Sequence, residues 1–281
     1  MPYDSGRRDE RMGRGPGRIF QCGIVEALER SHAIVRVSEV ILPDSQFPSE
    51  PGAAFAIQAL VAERVASAIR DEFLPIVLSG NCNTAIGSAA GLMAGKGVTP
   101  RVLWLDAHAD FNTPETTTSG FIDGMAVAML TGRCWMSMTA GIPGFKPLDD
   151  SRISLLGVRD VDGRELNNLE QSRVVRYRKA SEVVLDADAP LYLHIDLDSF
   201  DTSEGTANGY SVAGGITRAD FMALAGRIRE SKALGALALT AYDPAFDEGN
   251  RIARLAIDIA RALSTGDGLA IHARLQVGKT S

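Results

Sequence analysis

The stretch LWLDAHADFNTPETTTSG, Leu103 to Gly120, runs from apolar residues into Asp106, His108 and Asp110, spaced two apart, and then into a string of small hydroxyl residues. A second stretch, LYLHIDLDSFD from Leu191, repeats the design with Asp196 and Asp198. A lone D-x-D is usually a turn former, a helix cap or a solvated strand end. Two such clusters meeting at one place are different, because converging carboxylates repel and an unpaired buried charge costs several kcal/mol. Bound divalent cations are the economical way to neutralise them. Carboxylate-rich, imidazole-poor donors suit Mn²⁺ better than a thiolate-rich zinc site would, although spacing alone leaves other divalent ions open.

Strands must bring these residues together. Side chains alternate along a strand, so Asp106, His108 and Asp110 are expected on one face, with Ala107 and Ala109 on the other. The runs AIVRVSEV, LPIVLSG, RVLWLDAHAD, ISLLGVRD, LYLHIDLD and GALALTAYD read as strands. Helical patterns lie between them, from about Ala53 to Phe73 and in TAIGSAAGLMAG, ADFMALAGRIRES and EGNRIARLAIDIARALS. This alternation predicts an α/β fold with a parallel sheet covered on both faces. Ligands bind at the carboxyl edge of such sheets. SGNCN, GVRDVD and AYDPAFD also follow predicted strands and should gather at that edge. With no internal repeat or linker, residues 1–281 read as a single domain, and Gly141 to Pro147 as a surface loop.

Composition excludes several classes of function. At 45% hydrophobic and 23% charged the chain is ordinary globular protein, and a net charge of −6 supplies no basic field for nucleic acid. The arginine-rich opening is interleaved with Asp and Glu, and no apolar run is expected to approach the length of a membrane span. Cys22, Cys82 and Cys134 lack paired spacing, and the N-terminus lacks an apolar signal segment, so a reducing cytoplasm is expected.

DAHAD-x-N-T-P-x-T-T-T-S-G, together with HIDLDSFD and a later GG-I-T, resembles the ureohydrolase superfamily of arginases and agmatinases, with the Thr/Ser run most similar to arginase. The resemblance covers nearly the whole chain. It implies a three-layer α/β/α sandwich and a binuclear Mn²⁺ centre, with Asp106 and Asp196 bridging the ions, Asp110 completing one site, and His108 and Asp198 the other. It implies hydrolysis of a guanidino group by water that the ions activate, with Asp110 relaying the proton to the departing amine. It further implies that Asn112, Thr117 and Ser119 hold an α-carboxylate while Asp162 faces an α-amino group. An amino-acid substrate follows more naturally than agmatine, and relatives commonly form trimers or hexamers. PYDSG with RMGRGP, which by composition alone reads as a disordered tail, then resembles the loop after the family's first strand. That strand would be nearly absent, an expectation of a late-assigned start or a truncation that mass analysis of the natural protein would test.

Three positions depart from the family pattern. Cys82 stands where a histidine usually binds the first metal; it is either a soft ligand, leaving that side partly occupied, or a small packed thiol. Asp123 replaces a histidine assigned to proton transfer and is either a relay or a loop-stabilising carboxylate. Ala241 replaces a glutamate that contacts the guanidinium, so a guanidine bearing a hydroxyl could be accommodated. The leading expectation is a Mn²⁺-dependent amidinohydrolase acting on arginine or a close relative. Its rivals are an N-hydroxyarginine hydrolase and a catalytically weak arginase-like binding protein. His194 shares a strand face with Asp196 and either supports a ligating carboxylate or is a satisfied core histidine. His32 and His272 carry no motif, and Cys22 and Cys134 are expected to be packed thiols.

Overall fold

Apolar runs bounded by Gly, Pro and Asp become short strands in the computed structural model, which describes residues 1–43, 49–186, 188–264 and 270–272. A small antiparallel hairpin, β1 (Tyr3–Asp4) and β2 (Arg7–Arg8), precedes the main sheet. The sheet strands are β3 (Ile34–Val35), β4 (Phe73–Leu78), β5 (Arg101–Leu105), β6 (Ile153–Leu156), β7 (Val175–Tyr177), β8 (Leu191–Asp196), β9 (Leu234–Thr240) and β10 (Ala270–His272). Their order is β3-β10-β4-β9-β8-β5-β6-β7, and every pairing is parallel.

Alternation along the strands sorts the core onto two faces. Val102, Trp104, Tyr192, Ala236 and Ala238 face one layer, built from α3 (Glu50–Arg70), α4 (Ala85–Lys96) and α5 (Ala126–Leu130). Leu103, Leu105, Leu193, Ile195, Leu237 and Leu239 face the other, built from α1 (Gly15–Gln21), α2 (Ile24–Glu29), α8 (Arg218–Ser231) and α9 (Arg251–Ser264). The expected sheet covered by helices on both faces is therefore present. Two further helices, α6 (Met136–Thr139) and α7 (Gly163–Glu170), lie in the segments after α5 and β6.

Ser49 caps α3 by accepting the Gly52 amide, and Pro51 sits in its first turn. The helix is therefore set slightly earlier than the expected Ala53 to Phe73. α3 has the length and hydropathy of a membrane span, contrary to the expectation that no segment would, yet 61% of its most apolar window is buried inside the fold. It packs against α4 at glycines: a Cβ on Gly87 would come within 2.4 Å of the Gln58 carbonyl oxygen.

Two expectations are corrected. AIVRVSEV contributes only Ile34–Val35 as strand. β5 ends at Leu105, so Asp106, His108 and Asp110 do not share a strand face. They are set instead by the loop that follows, in which Asp110 adopts φ +48°. The carbonyl of Asp110 accepts the Val127 and Ala128 amides at 2.8 and 3.2 Å, which offsets this uncommon backbone conformation. The opening segment is not a loose tail either. Tyr3, Asp4 and Met12 are buried.

Candidate metal centre

Five loops at the carboxyl ends of β4, β5, β6, β8 and β9 meet in a cavity of about 240 Å³. Asp106 follows β5 and donates its amide to the Leu156 carbonyl at 3.2 Å, joining the loop to the neighbouring strand. Its Oδ1 accepts the His108 amide at 2.8 Å, and its Oδ2 accepts the indole N–H of Trp104 at 2.9 Å. Asp196 is the last residue of β8, and its Oδ1 accepts the Asp198 amide at 2.8 Å, turning the chain so that Asp198 also faces inward. Asp198 Oδ1 accepts the Ala107 amide at 3.2 Å. The two acidic loops are thus tied directly to each other.

Among the described residues, two groups offer ligand atoms that lie within 4.8 Å of one another: Cys82 with Asp106 and Asp110, and Asp106 with His108 and Asp198. Asp106 belongs to both. The Cys82 thiol donates to Asp196 Oδ2 at 3.0 Å, bringing Asp196 against the first group. All six residues expected to bind metal therefore converge.

The electrostatics suit a cation. Burial, then the neighbouring carboxylates, raises the pKa of Asp110 and Asp196 well above the usual carboxylate range. Burial and Asp106 bring Asp198 to about 6. Burial works against a His108 imidazolium, but its Asp106 hydrogen bond and the charges of Asp106, Asp198 and Asp160 outweigh this and raise its pKa to about 9. Buried acids that resist ionisation for want of positive charge are a donor set that a divalent ion fits. Carboxylate and imidazole are donors that Mn²⁺ accepts, while the Cys82 thiol, its pKa raised by burial and then Asp196, is the poorest match.

Of the expected substrate contacts, Asn112, Ser119 and Asp162 line the cavity. Thr117 does not; its hydroxyl accepts the Gly120 amide at 3.0 Å and so shapes the same loop. Asp123 also lines the cavity, but it accepts the Asn83 amide at 2.7 Å and the Asn81 side-chain amide at 2.9 Å. Burial, opposed by those hydrogen bonds, raises its pKa to about 7. Ala241 sits on the wall at φ +58° and offers no charge.

Residues 1–265 match the arginase family. The chain belongs to the arginase family. It is a hydrolase of the ureohydrolase type. The chain is 29% identical over 295 residues to an arginase of Brucella melitensis, with 94% of each chain covered. It is 30% identical to a non-hepatic arginase of Xenopus laevis, covering 92% of this chain and 80% of that one. Its fold is similar to that of the arginase from Bacillus cereus, with a TM-score of 0.82 at 24% identity over 95% of this chain and 97% of the other.

Other residues at this arginase-family site are not evident from the motifs. Trp104 and His194 stack beneath it with ring centroids 3.6 Å apart and planes 3° from parallel. His194 is a satisfied core histidine: its ring nitrogens lie 2.9 Å from the Tyr192 hydroxyl and 3.1 Å from the Thr240 hydroxyl, and burial lowers its pKa to about 3. Asn208 donates to Asp198 Oδ2 at 3.3 Å and to the Ala241 carbonyl at 2.7 Å. Arg159 donates to the carbonyls of Gly157, Asp198 and Val212 at 2.9, 2.8 and 2.6 Å, stapling the loop after β6 to the segment after β8. Glu165 accepts the Phe111 and Asp162 amides at 2.7 and 3.3 Å. The D-x-x-E spacing of Asp162 and Glu165 is a helix-start signature that could have revealed it. His32 is exposed, Cys134 is buried and Cys22 half-buried; the side chain of His272 lies outside the described residues.

Proposed function

We infer that this arginase-family chain is a Mn²⁺-dependent amidinohydrolase that cleaves the guanidino C–N bond of arginine or a close derivative, releasing urea or a urea derivative and an amine such as ornithine. The observation that carries the reading is the pair of donor groups sharing Asp106 at the floor of a cavity walled by Asn112, Ser119 and Asp162. Asp106 and Asp196 would bridge two ions, with Asp110 and Cys82 on one side and His108 and Asp198 on the other. When bound, the ions supply a water activated near neutral pH for attack on the resonance-stabilised guanidinium carbon. Asp110 would receive the proton on its carboxylate and pass it to the departing amine nitrogen. Asn112 and Ser119 would hold the α-carboxylate, on a loop shaped by Thr117, and Asp162 the α-amino group.

Ala241 supports a second reading, an N-hydroxyarginine hydrolase releasing hydroxyurea and ornithine. A methyl group at this point of the cavity wall takes up little space and brings no charge of its own to an unsubstituted guanidinium. Ion content by elemental analysis, combined with turnover of arginine, N-hydroxyarginine and agmatine, separates the readings. Fastest turnover of arginine supports the first, and fastest turnover of its hydroxylated form supports the second. Full loading with no turnover supports a binding protein instead. Replacing Cys82 with His and finding unchanged ion content and activity would remove Cys82 from the ligand set. The unpaired cysteines fit action in the cytoplasm, and assembly as a trimer or hexamer is proposed from the family resemblance.

A further inference from the structure

The residues on either side of Cys82 are held by groups that come from outside its own loop. Asn81 accepts the Ser5 amide on its Oδ1 at 3.0 Å. Its Nδ2 donates to Asp123 Oδ2 at 2.9 Å and to Asp4 Oδ1 at 3.5 Å. On the other side, the Asn83 amide donates to Asp123 Oδ1 at 2.7 Å, and Asn83 Oδ1 accepts the Gln58 side-chain amide at 2.7 Å. Both oxygens of Asp123 are thereby engaged, one with each neighbour of Cys82.

Asp4 is anchored in its turn. It is 2% exposed. Arg11 donates to its two carboxylate oxygens at 2.8 and 3.1 Å, a bidentate pair that fixes the plane of the carboxylate. The Met12 amide adds a third donor at 3.4 Å, and Met12 itself lines the cavity. The backbones interlock at the same place: a Cβ on Gly80 would come within 2.3 Å of the Tyr3 carbonyl oxygen and 2.7 Å of the Gly13 amide nitrogen. Glycine is required there by close approach, so the opening segment and the Cys82 loop seat as one unit.

The geometry points to Asp123 and Asp4 as positioning residues that fix the Cys82 loop, Asp4 through Asn81 and Asp123 through both Asn81 and the Asn83 amide, rather than to Asp123 as a proton relay. A relay must exchange protons with the reacting groups. The oxygens of Asp123 are instead occupied by N–H donors that do not release their hydrogens in the reaction. Asp4 lacks any place on the cavity wall, and it reaches the Cys82 loop through Asn81, whose Nδ2 donates to it at 3.5 Å. This inference concerns the site of the proposed hydrolase, but its decisive test does not depend on the substrate.

The test follows the Cys82 thiol in the full-length, metal-loaded protein with Cys22→Ser and Cys134→Ser, using a neutral maleimide under native conditions. Asp4→Asn, Asp123→Asn and Asn81→Ala are each expected to speed labelling of Cys82 at least tenfold, because each frees the loop to open locally. In a second background that keeps only Cys134, the same variants should label at the parent rate, which a general loss of stability would not allow. The Asp4→Asn/Asn81→Ala double variant should label no faster than Asn81→Ala alone, since Asp4 reaches the loop through that one side chain. With the preferred guanidino substrate, kcat should fall by similar factors in Asp4→Asn and Asp123→Asn with KM within twofold. Unchanged Cys82 labelling in Asp123→Asn and Asn81→Ala overturns the proposal, as does a kcat loss confined to Asp123→Asn with a changed pH profile, the signature of a relay.

Discussion

The indole N–H of Trp104 donates to Oδ2 of Asp106 at 2.9 Å from two residues earlier in the chain, underneath the one carboxylate common to both donor groups. Trp104 is fully buried, and it is aligned with His194 across the β5–β8 pairing. Trp104→Phe keeps an aromatic face against His194 but removes the donor that orients Asp106. Outer hydrogen bonds of this kind are typically worth about 10- to 100-fold in metal affinity or activity. A Mn²⁺ titration followed by elemental analysis should show weaker binding on that scale, with a matching fall in kcat.

Phe121 and Tyr210 come from different loops and stack at the cavity rim, with ring centroids 6.3 Å apart and planes at 29°. Tyr210 is half exposed and lines the cavity, where under the proposed function it would touch the aliphatic chain of the guanidino substrate. An aromatic contact of about 0.5–1.5 kcal/mol corresponds to roughly a 2- to 12-fold change in affinity. Tyr210→Ala is expected to raise KM by that factor and leave kcat within about twofold, whereas Tyr210→Phe should resemble the parent. Steady-state kinetics on both variants checks the pair.

Burial raises the pKa of Glu165 to about 7 from its ordinary 4.5, against the pull of the Phe111 and Asp162 amides. The folded chain therefore binds this proton more tightly than the unfolded chain does. Its contribution to stability is complete below the ordinary carboxylate range and is lost as pH rises through about 7. The effect is on the order of 3 kcal/mol across the window. Glu165→Gln loses one backbone acceptor at every pH, so its level of stability drops. The slope of stability between about pH 5 and 8 should flatten relative to the parent. Denaturant melts of chelator-treated protein across that range read the slope directly.

Because Asp106, Asp110, Asp196 and Asp198 share one buried site, ion binding should act as folding free energy. An ion at about 1,000 times its Kd contributes about 4 kcal/mol. For a chain of this size that corresponds to a rise in Tm of roughly 8–16 °C. Thermal melts with Mn²⁺ and after chelation should differ by this order. A difference below about 2 °C would remove the acids from an ion-binding role.

Much of this arrangement is legible in the sequence because two different signals agree. The apolar runs around Trp104 and Ile195 place Asp106 and Asp196 at strand ends, and the doubled acidic spacing gives those ends a shared purpose. Sequence periodicity misjudges what happens just past the strand: the His108 and Asp110 directions depend on a left-handed residue and on amides from α5, which are long-range facts. The opening segment is misread by composition for a related reason. Asp4 and Arg11 look like solvated charges until Asn81, distant in sequence, supplies the environment that buries Asp4. Thr117 belongs to the expected substrate loop, yet only the folded backbone shows its hydroxyl turned to Gly120.

Of the chain's two tryptophans, Trp135 is half-buried near Met125, whereas Trp104 is sealed between the imidazole of His194 and the Asp106 carboxylate. The protein thus carries its own optical gauge of the charge at Asp106. Indole emission is sensitive to a neighbouring proton or cation, so arrival of an ion can be timed in a stopped-flow fluorimeter with no added dye, and Trp135→Phe isolates the signal.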